Sequence, residues 1–358
     1  MKACIISLYG NINYGNKLQN YAVQRVMEKL GYKTEVIYLQ SEKNRAKQFA
    51  RYLVHQTPLK VLKKSSLESD LLFKRERAFR NFCKQYIIEK RYRSIKQIHG
   101  ADVYVVGSDQ VWSPRFMNST NQRLYFASFA KPEQKLCFSP SFGVDKIPDE
   151  WKTVYKHELS TFPTISVREE SGKEIVQELI GKEATVLIDP TMMLDREDWL
   201  KIARKPKAIK EGEKYILTYF LGSVPQKAQE DIQSARNSVT EKVYGLMDLT
   251  HPELFSCDPA EFVYLFYNAS LVLTDSFHAC VFSFLLGKPF LVYEREGARN
   301  DMFTRIETLL SKFDLERKRA GNGLPNNLLE ADYSVGYERL EKERQRVIVF
   351  LRSSLGRE

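Results

Sequence analysis

The sequence lacks the apolar run that a membrane span needs. Its longest apolar stretch, residues 279–286 (ACVFSFLL), is interrupted by Ser283 and falls far short of the ~20 residues of a membrane helix. Residues 3–8 are apolar but are followed by Gly10 and Asn11, with no long h-region and no small-residue cleavage site, so no signal peptide is expected. Cysteine is scarce. The five present, at 4, 83, 137, 257 and 280, are odd in number and contain no CxxC. They read as reduced, buried thiols of a cytoplasmic protein, not as a disulfide framework. No Cys/His pair has ligand spacing, so no metal and no cofactor is expected. There is no GxGxxG fingerprint and no Walker loop, which leaves nucleotide binding little support. No nucleic-acid-binding motif is present either, so no nucleic-acid partner is expected.

What is present fits a globular chain. The 358 residues are 43% hydrophobic and 28% charged, long enough for about two domains. The net charge of +10 is unevenly placed. Residues 41–100 hold 16 Lys/Arg against 5 Asp/Glu, a balance of +11, so the rest nets −1. Such a segment suggests an anionic partner, an anionic membrane surface among them, and reads equally as a solvated helical face. Its aromatics (Tyr52, Phe73, Phe79, Phe82, Tyr86, Tyr92) suit the core face of a helix.

Periodicity gives an α/β chain. Residues 3–8 read as a strand, 18–30 as a helix closed by Gly31, and 33–39 as a second strand. Residues 41–98 read as helical. Strands follow at 102–106, 135–139, 164–167 and 185–188. Ser171 and Glu174 form an expected capping box. A polar stretch with Pro206 and Gly212 (204–214) marks a domain boundary. Beyond it, strands at 215–221, 271–274 and 290–293 alternate with helices at 226–239, 259–268 and 279–286. Asp258-Pro259 reads as an N-cap with proline at N1. Residues 337–355 read as a terminal helix that crosses back to the first domain.

In such sheets ligands bind beyond the carboxyl ends of the strands, and several polar clusters fall there. The 9–17 loop, with Asn16, opens a helix N-terminus that favours anions. Gly107-Ser108-Asp109 follows a strand. Arg168 suits bidentate binding of a phosphate or carboxylate, or a salt bridge to Glu169, Glu170 or another acid. Asp109 and Asp189 could be bases or helix caps, the cap being the reading for Asp189. His278, after Asp275 and Ser276, stands where an acid or base could meet an anionic ligand.

The chain resembles the polysaccharide pyruvyl transferase family. The stretches that carry the resemblance are NYGNKLQNYAVQ (13–24), VVGSDQVWSP (105–114), FSPSFG (138–143), ISVREESG (165–172), LIDPTMML (187–194) and LTDSFHACVFSFLLGKPF (273–290). The resemblance implies two Rossmann-like domains in a GT-B-like arrangement: residues 1–205 with the basic insert, a donor-binding domain at 206–335, and the helix at 336–358. It implies a cytoplasmic transferase of exopolysaccharide biosynthesis that moves a pyruvyl group from phosphoenolpyruvate onto two hydroxyls of a sugar, as a ketal. The partners implied are phosphoenolpyruvate and a sugar or lipid-linked glycan acceptor. Where that acceptor is lipid-linked, the basic charge of 41–100 could dock peripherally on the anionic inner membrane face. By the same resemblance His278 and Arg168 are donor-site residues, and the position and ordinary titration range of an imidazole suit His278 to be the acid. Asp109 joins His278 as the expected catalytic pair. Asn16, Ser108, Ser276, Arg299 and Arg305 complete the expected substrate-binding set. One motif departs from the family. Better-known branches read Arg-Leu-His where this chain has Ser276-Phe277-His278, and Arg295, Arg299 and Arg305 are the cations that could replace the arginine.

Two other classes fit the same pattern. One is a GT-B-type glycosyltransferase using a nucleotide sugar, with Glu294 holding the ribose, or bridged to Arg295 or Arg299. The other is a non-catalytic glycan-binding relative.

Overall fold

The computed structural model describes residues 1–8, 12–39, 67–240, 242–295, 303–321 and 328–357. It divides into a first unit, Met1–Pro190 with Val349–Glu358, and a second, Thr191–Ile348. Both are α/β and both are built on parallel sheets, as the sequence pattern predicts.

In the first unit β1 (Lys2–Ile6) leads to α1 (Tyr14–Lys29), β2 (Lys33–Leu39), α2 (Leu67–Tyr86), β3 (Glu89–Tyr92) and β4 (Val103–Val106). The short α3 (Ser119–Tyr125), β5 (Lys135–Cys137), α4 (Asp149–Ser160), β6 (Ser166–Val167), α5 (Glu170–Ile180) and β7 (Thr185–Val186) follow. The main sheet has the order β3-β2-β1-β4-β5, and β6 pairs with β7. Strand order therefore reverses between β1 and β4, the switch point at which such sheets leave a crevice. β1 and β4 are apolar on both faces, as a doubly covered parallel sheet requires. Gly31, at φ +85°, closes α1 as expected.

Beyond the switch point lies an aromatic core. Trp112 stacks on Phe126 with ring centroids 5.6 Å apart and meets Phe142 at 5.3 Å. Its indole Nε1 donates to the Tyr125 carbonyl at 3.1 Å, and Tyr155 Oη donates to the Trp112 carbonyl at 2.7 Å. These bonds fix the loop that follows β4.

Three expectations need correction here. Residues 89–92 are an edge strand on β2, not helix, because their backbone completes the β2 ladder (Val36↔Glu89 to Leu39↔Tyr92). The capping box at Ser171 does not form: α5 begins at Glu170, its N-cap is Glu169, and the Glu169 carboxylate is used elsewhere. Residues 191–205 belong with the second unit, so the division falls before the polar stretch at 204–214. The packing explains this. Trp199 lies edge-on to Phe282 at 4.9 Å, and Arg204 bonds Asp258 at 2.5 Å. The part of the basic insert at 40–66, with Tyr52, lies outside the described residues.

The second unit opens on α6 (Arg196–Leu200) and β8 (Ile216–Tyr219). Next come α7 (Gln226–Ser238), β9 (Val243–Gly245), α8 (Pro252–Phe255), α9 (Pro259–Asn268), β10 (Leu271–Thr274), α10 (Phe277–Leu285), β11 (Phe290–Val292) and α11 (Thr304–Phe313). Its sheet has the order β11-β10-β8-β9, reversing between β10 and β8. Asp258 caps α9 in a full capping box with Glu261, and Pro259 stands at N1. α12 (Ser334–Ser354) begins in the second unit, and from Val349 the chain belongs to the first. No described helix is long and apolar enough to cross a membrane. All five cysteines are free and buried.

Candidate functional site

Each unit gathers polar side chains at its own switch point. In the first, the carboxyl ends of β1 and β4 bring together Ser7, Asn16, Ser108 and Asp109. Asn13 caps α1 by accepting from the Asn16 backbone N–H at 3.1 Å, which places Asn16 in the first turn. Asn16 Nδ2 then donates to Asp109 Oδ2 at 3.0 Å and to Ser7 Oγ at 3.2 Å. Gly107 is required just before. A Cβ there would lie 3.0 Å from Gln19 Nε2 and 3.3 Å from the Ile6 carbonyl oxygen. Asp109 sits at φ +71°, a left-handed backbone that a non-glycine residue holds only under constraint. The constraint is visible: Ser141 N–H donates to the Asp109 carbonyl at 2.9 Å, and Asn16 grips the carboxylate.

Arg168, at the end of β6, is almost fully buried. Its Nη1 donates to Asp189 Oδ2 at 2.8 Å and to Ser108 Oγ at 3.4 Å, and its Nε lies 3.8 Å from Glu169 Oε2. Ser108 Oγ also donates to Asp189 Oδ2, at 2.9 Å. Burial opposes the guanidinium charge, but Asp189, Glu169 and Asp109 outweigh it and raise the Arg168 pKa above its ordinary value. Asp189 is therefore the buried counter-ion of Arg168. Glu169 was read from sequence as one of the acids that could bridge Arg168. It also accepts from the Phe142 N–H at 2.9 Å and so ties the loop after β5 to the same cluster.

The second unit's cluster is built around the turn after β10. Thr274 Oγ1 donates to the Tyr219 carbonyl at 2.5 Å and accepts from the Ser276 N–H at 3.0 Å, locking the ends of β8 and β10. The buried Asp275 carboxylate accepts from the N–H groups of Leu221 (2.7 Å) and Gly222 (3.2 Å) and from Arg295 Nε (2.7 Å). Gly222 makes room: a Cβ on it would lie 2.9 Å from Arg295 Cγ. Ser276 is the N-cap of α10 but makes no side-chain capping bond, so its hydroxyl is not spent there. His278 follows in the first turn of α10, half-buried, its ring at 89° to that of Phe277. The rest of α10 is apolar and buried, which pegs this turn in place. A pinned guanidinium beside a helix N-terminus is suited to an anion.

The remaining expected residues are less central. Arg305 stands in the first turn of α11, half-buried. Arg299 lies outside the described residues. Among the described residues Glu294 pairs with Arg319; of its two expected partners, Arg295 is engaged by Asp275 and Arg299 lies outside the described residues. Arg295 is absent from the expected binding set, although its position two residues past an apolar strand was a usable signal.

The sequence profile of the polysaccharide pyruvyl transferase family matches residues 13–297. The chain belongs to that family. It is a transferase, and the matched span takes in both clusters described above except Ser7. No protein of curated function matches the chain significantly. Among solved structures, a glycosyltransferase from Rickettsia africae is similar at 12% identity and TM-score 0.42, over 99% of this chain and 97% of that one. A UDP-N-acetylglucosamine 2-epimerase from Neisseria meningitidis is similar at 11% identity and TM-score 0.43, over 98% and 99%. The corresponding epimerase from Methanocaldococcus jannaschii is similar at 13% identity and TM-score 0.44, over 98% and 99%. Within the pyruvyl transferase family match, the stretch 273–290 covers the end of β10, the Asp275 turn and α10, and ends at the start of β11.

Proposed function

We propose that this pyruvyl transferase family member transfers a pyruvyl group from phosphoenolpyruvate to two hydroxyls of a sugar in an exopolysaccharide or glycan precursor. The observation that carries this reading is the Asp275–Arg295 pair beside the N-terminus of α10, which bears His278. The donor has two anionic groups and one carbon to be protonated. A guanidinium held on Asp275, next to a helix N-terminus whose first turn carries an imidazole, matches those needs.

His278 is assigned as the acid that protonates the methylene carbon of the donor, leaving C2 an oxocarbenium-like electrophile. One sugar hydroxyl attacks C2, the C2–O bond to phosphate breaks, and inorganic phosphate leaves. The second hydroxyl closes the ketal, and each hydroxyl gives up its proton. Arg295 takes the role of the arginine that Ser276 replaces, and the Ser276 hydroxyl joins it in donor binding. Asp109 is assigned as the base for the acceptor, with Asn16 and Ser108 as its neighbours. Three carboxylates (Asp109, Glu169, Asp189) face one guanidinium in the first unit, which suits hydroxyls better than an anionic donor. Arg168 is therefore assigned to positioning Ser108 and Asp189. Arg299 and Arg305 are further candidates for the donor's charge. No metal or cofactor is assigned, and the reaction is placed in the cytoplasm, where its donor is made.

The test is thermal stability with phosphoenolpyruvate against nucleotide sugars, on wild type, Arg295→Ala and His278→Ala. A ligand that binds only the folded state at ~100-fold over its Kd stabilises by about 2.7 kcal/mol. A shift with phosphoenolpyruvate that is lost in Arg295→Ala supports the reading. A shift with a nucleotide sugar alone would replace it by a glycosyltransferase.

A further inference from the structure

We propose that the outward face of α2 seats the protein on an anionic lipid surface. The inference does not depend on which donor the enzyme uses. Within α2, Lys74, Arg77, Arg80 and Lys84 recur at spacings of three and four, so they line one face over about 15 Å. Lys74, Arg77 and Lys84 are exposed and Arg80 is half-exposed. Among the described residues none of the four has an acid partner within ion-pair distance. The exposed Lys96 lies beyond β3 and is likewise unpaired. The opposite face of α2 (Leu71, Phe79, Phe82, Cys83) is buried.

That division decides the kind of contact. The apolar face of α2 is already used in the core, so the helix cannot sink into a bilayer as a free amphipathic helix does. What remains outside is charge, which is attracted to anionic headgroups within about 10 Å at ordinary salt. Two aliphatic side chains flank the cations: Leu67, the first residue of α2, is 67% exposed, and Ile88, two residues past its end, is 54% exposed. An acidic polysaccharide would use the cations and leave these two in water. A lipid surface uses both, which favours the membrane.

The experiment is co-sedimentation of the full chain with phosphatidylcholine vesicles, with and without phosphatidylglycerol, at low and high salt. It includes the triple variant Arg77→Gln, Arg80→Gln, Lys84→Gln and the charge-matched control Lys207→Gln, Lys210→Gln, Lys214→Gln. Circular dichroism and melting check that each variant folds. Each well-placed cation contributes about fivefold, so the α2 triple is expected to bind anionic vesicles on the order of 100-fold more weakly. The control is expected to bind like wild type, and high salt is expected to release all three. A separate pair, Leu67→Ser and Ile88→Ser, is expected to weaken binding without changing its salt dependence. The proposal is overturned by equal binding to neutral vesicles, by no binding, or by equal loss in both triple variants. Binding to a soluble acidic polysaccharide but not to vesicles would overturn it in favour of a glycan partner.

Discussion

Arg295 reaches Asp275 only because residue 222 has no side chain. The Arg295 Nε to Asp275 Oδ2 distance is 2.7 Å, and a Cβ on Gly222 would sit 2.9 Å from Arg295 Cγ. Gly222→Ala therefore displaces the guanidinium while leaving the apolar core alone. The expected outcome is a rise of about tenfold or more in the KM for phosphoenolpyruvate, the loss of one charge-assisted contact. Stability should fall by about 1–3 kcal/mol, because the buried Asp275 loses its cation and keeps only its two backbone N–H bonds. Steady-state kinetics paired with denaturant unfolding reads both quantities. An unchanged donor KM would remove Arg295 from the donor site.

The Arg168–Asp189 pair makes a different demand. Both side chains are almost fully excluded from water. Removing one partner strands a buried charge, which costs about 3–5 kcal/mol. Asp189→Ala should therefore destabilise by that order, and Arg168→Ala comparably. Replacing both by apolar residues should cost less than the sum of the single changes. Denaturant unfolding of the two single variants and the double variant forms the cycle. Additive losses would show that the pair is not coupled.

Much of this architecture was legible from the chain, for identifiable reasons. β1, β4 and β10 are apolar on both faces and show as short hydrophobic runs. The stop at Gly31 and the cap at Asp258 depend on local chemistry, so local sequence reveals them. β3 was hidden because an edge strand of sequence EKRY has no apolar run, and only its ladder to β2 defines it. The pairing of Asp189 and the second bond of Glu169, to Phe142, were hidden for a related reason. Their partners, Arg168, Ser108 and Phe142, are brought to them by the fold, at up to 81 residues' separation in the case of Ser108 and Asp189. Arg295 was named among the possible cations, but choosing it over Arg299 or Arg305 needed the Asp275 contact.

Asp109 carries a cost that the site retains. Its φ of +71° strains a non-glycine backbone by about 1 kcal/mol. Asp109→Gly should relieve that strain but lose the bond from Asn16 Nδ2, so net stability should change by less than about 1 kcal/mol. Activity should fall by about 10²–10⁴-fold if Asp109 is the base. Asp109→Asn should lose similar activity with the backbone unchanged. Retained turnover in Asp109→Asn would assign the residue to structure alone.

Lys318 gives a pH dependence with a definite sign. It is buried in the second unit, with Nζ donating to the Glu330 carbonyl at 2.7 Å and standing over the Tyr333 ring. Burial, with Arg317 nearby, lowers its pKa from 10.5 to about 8. Between these two values the unfolded chain binds more protons than the folded one, so this group makes stability rise as pH rises through that window. Below pH 8 the full cost of burying the charge is present, on the order of 3 kcal/mol. Lys318→Met removes the term. Buried tyrosines and cysteines act in the opposite direction at high pH, so the comparison is the difference between wild type and variant. Stability measured at intervals from pH 7 to 10 should show the wild type gaining on the variant as pH rises. Parallel curves would mean that the Lys318 ammonium is as well accommodated folded as unfolded.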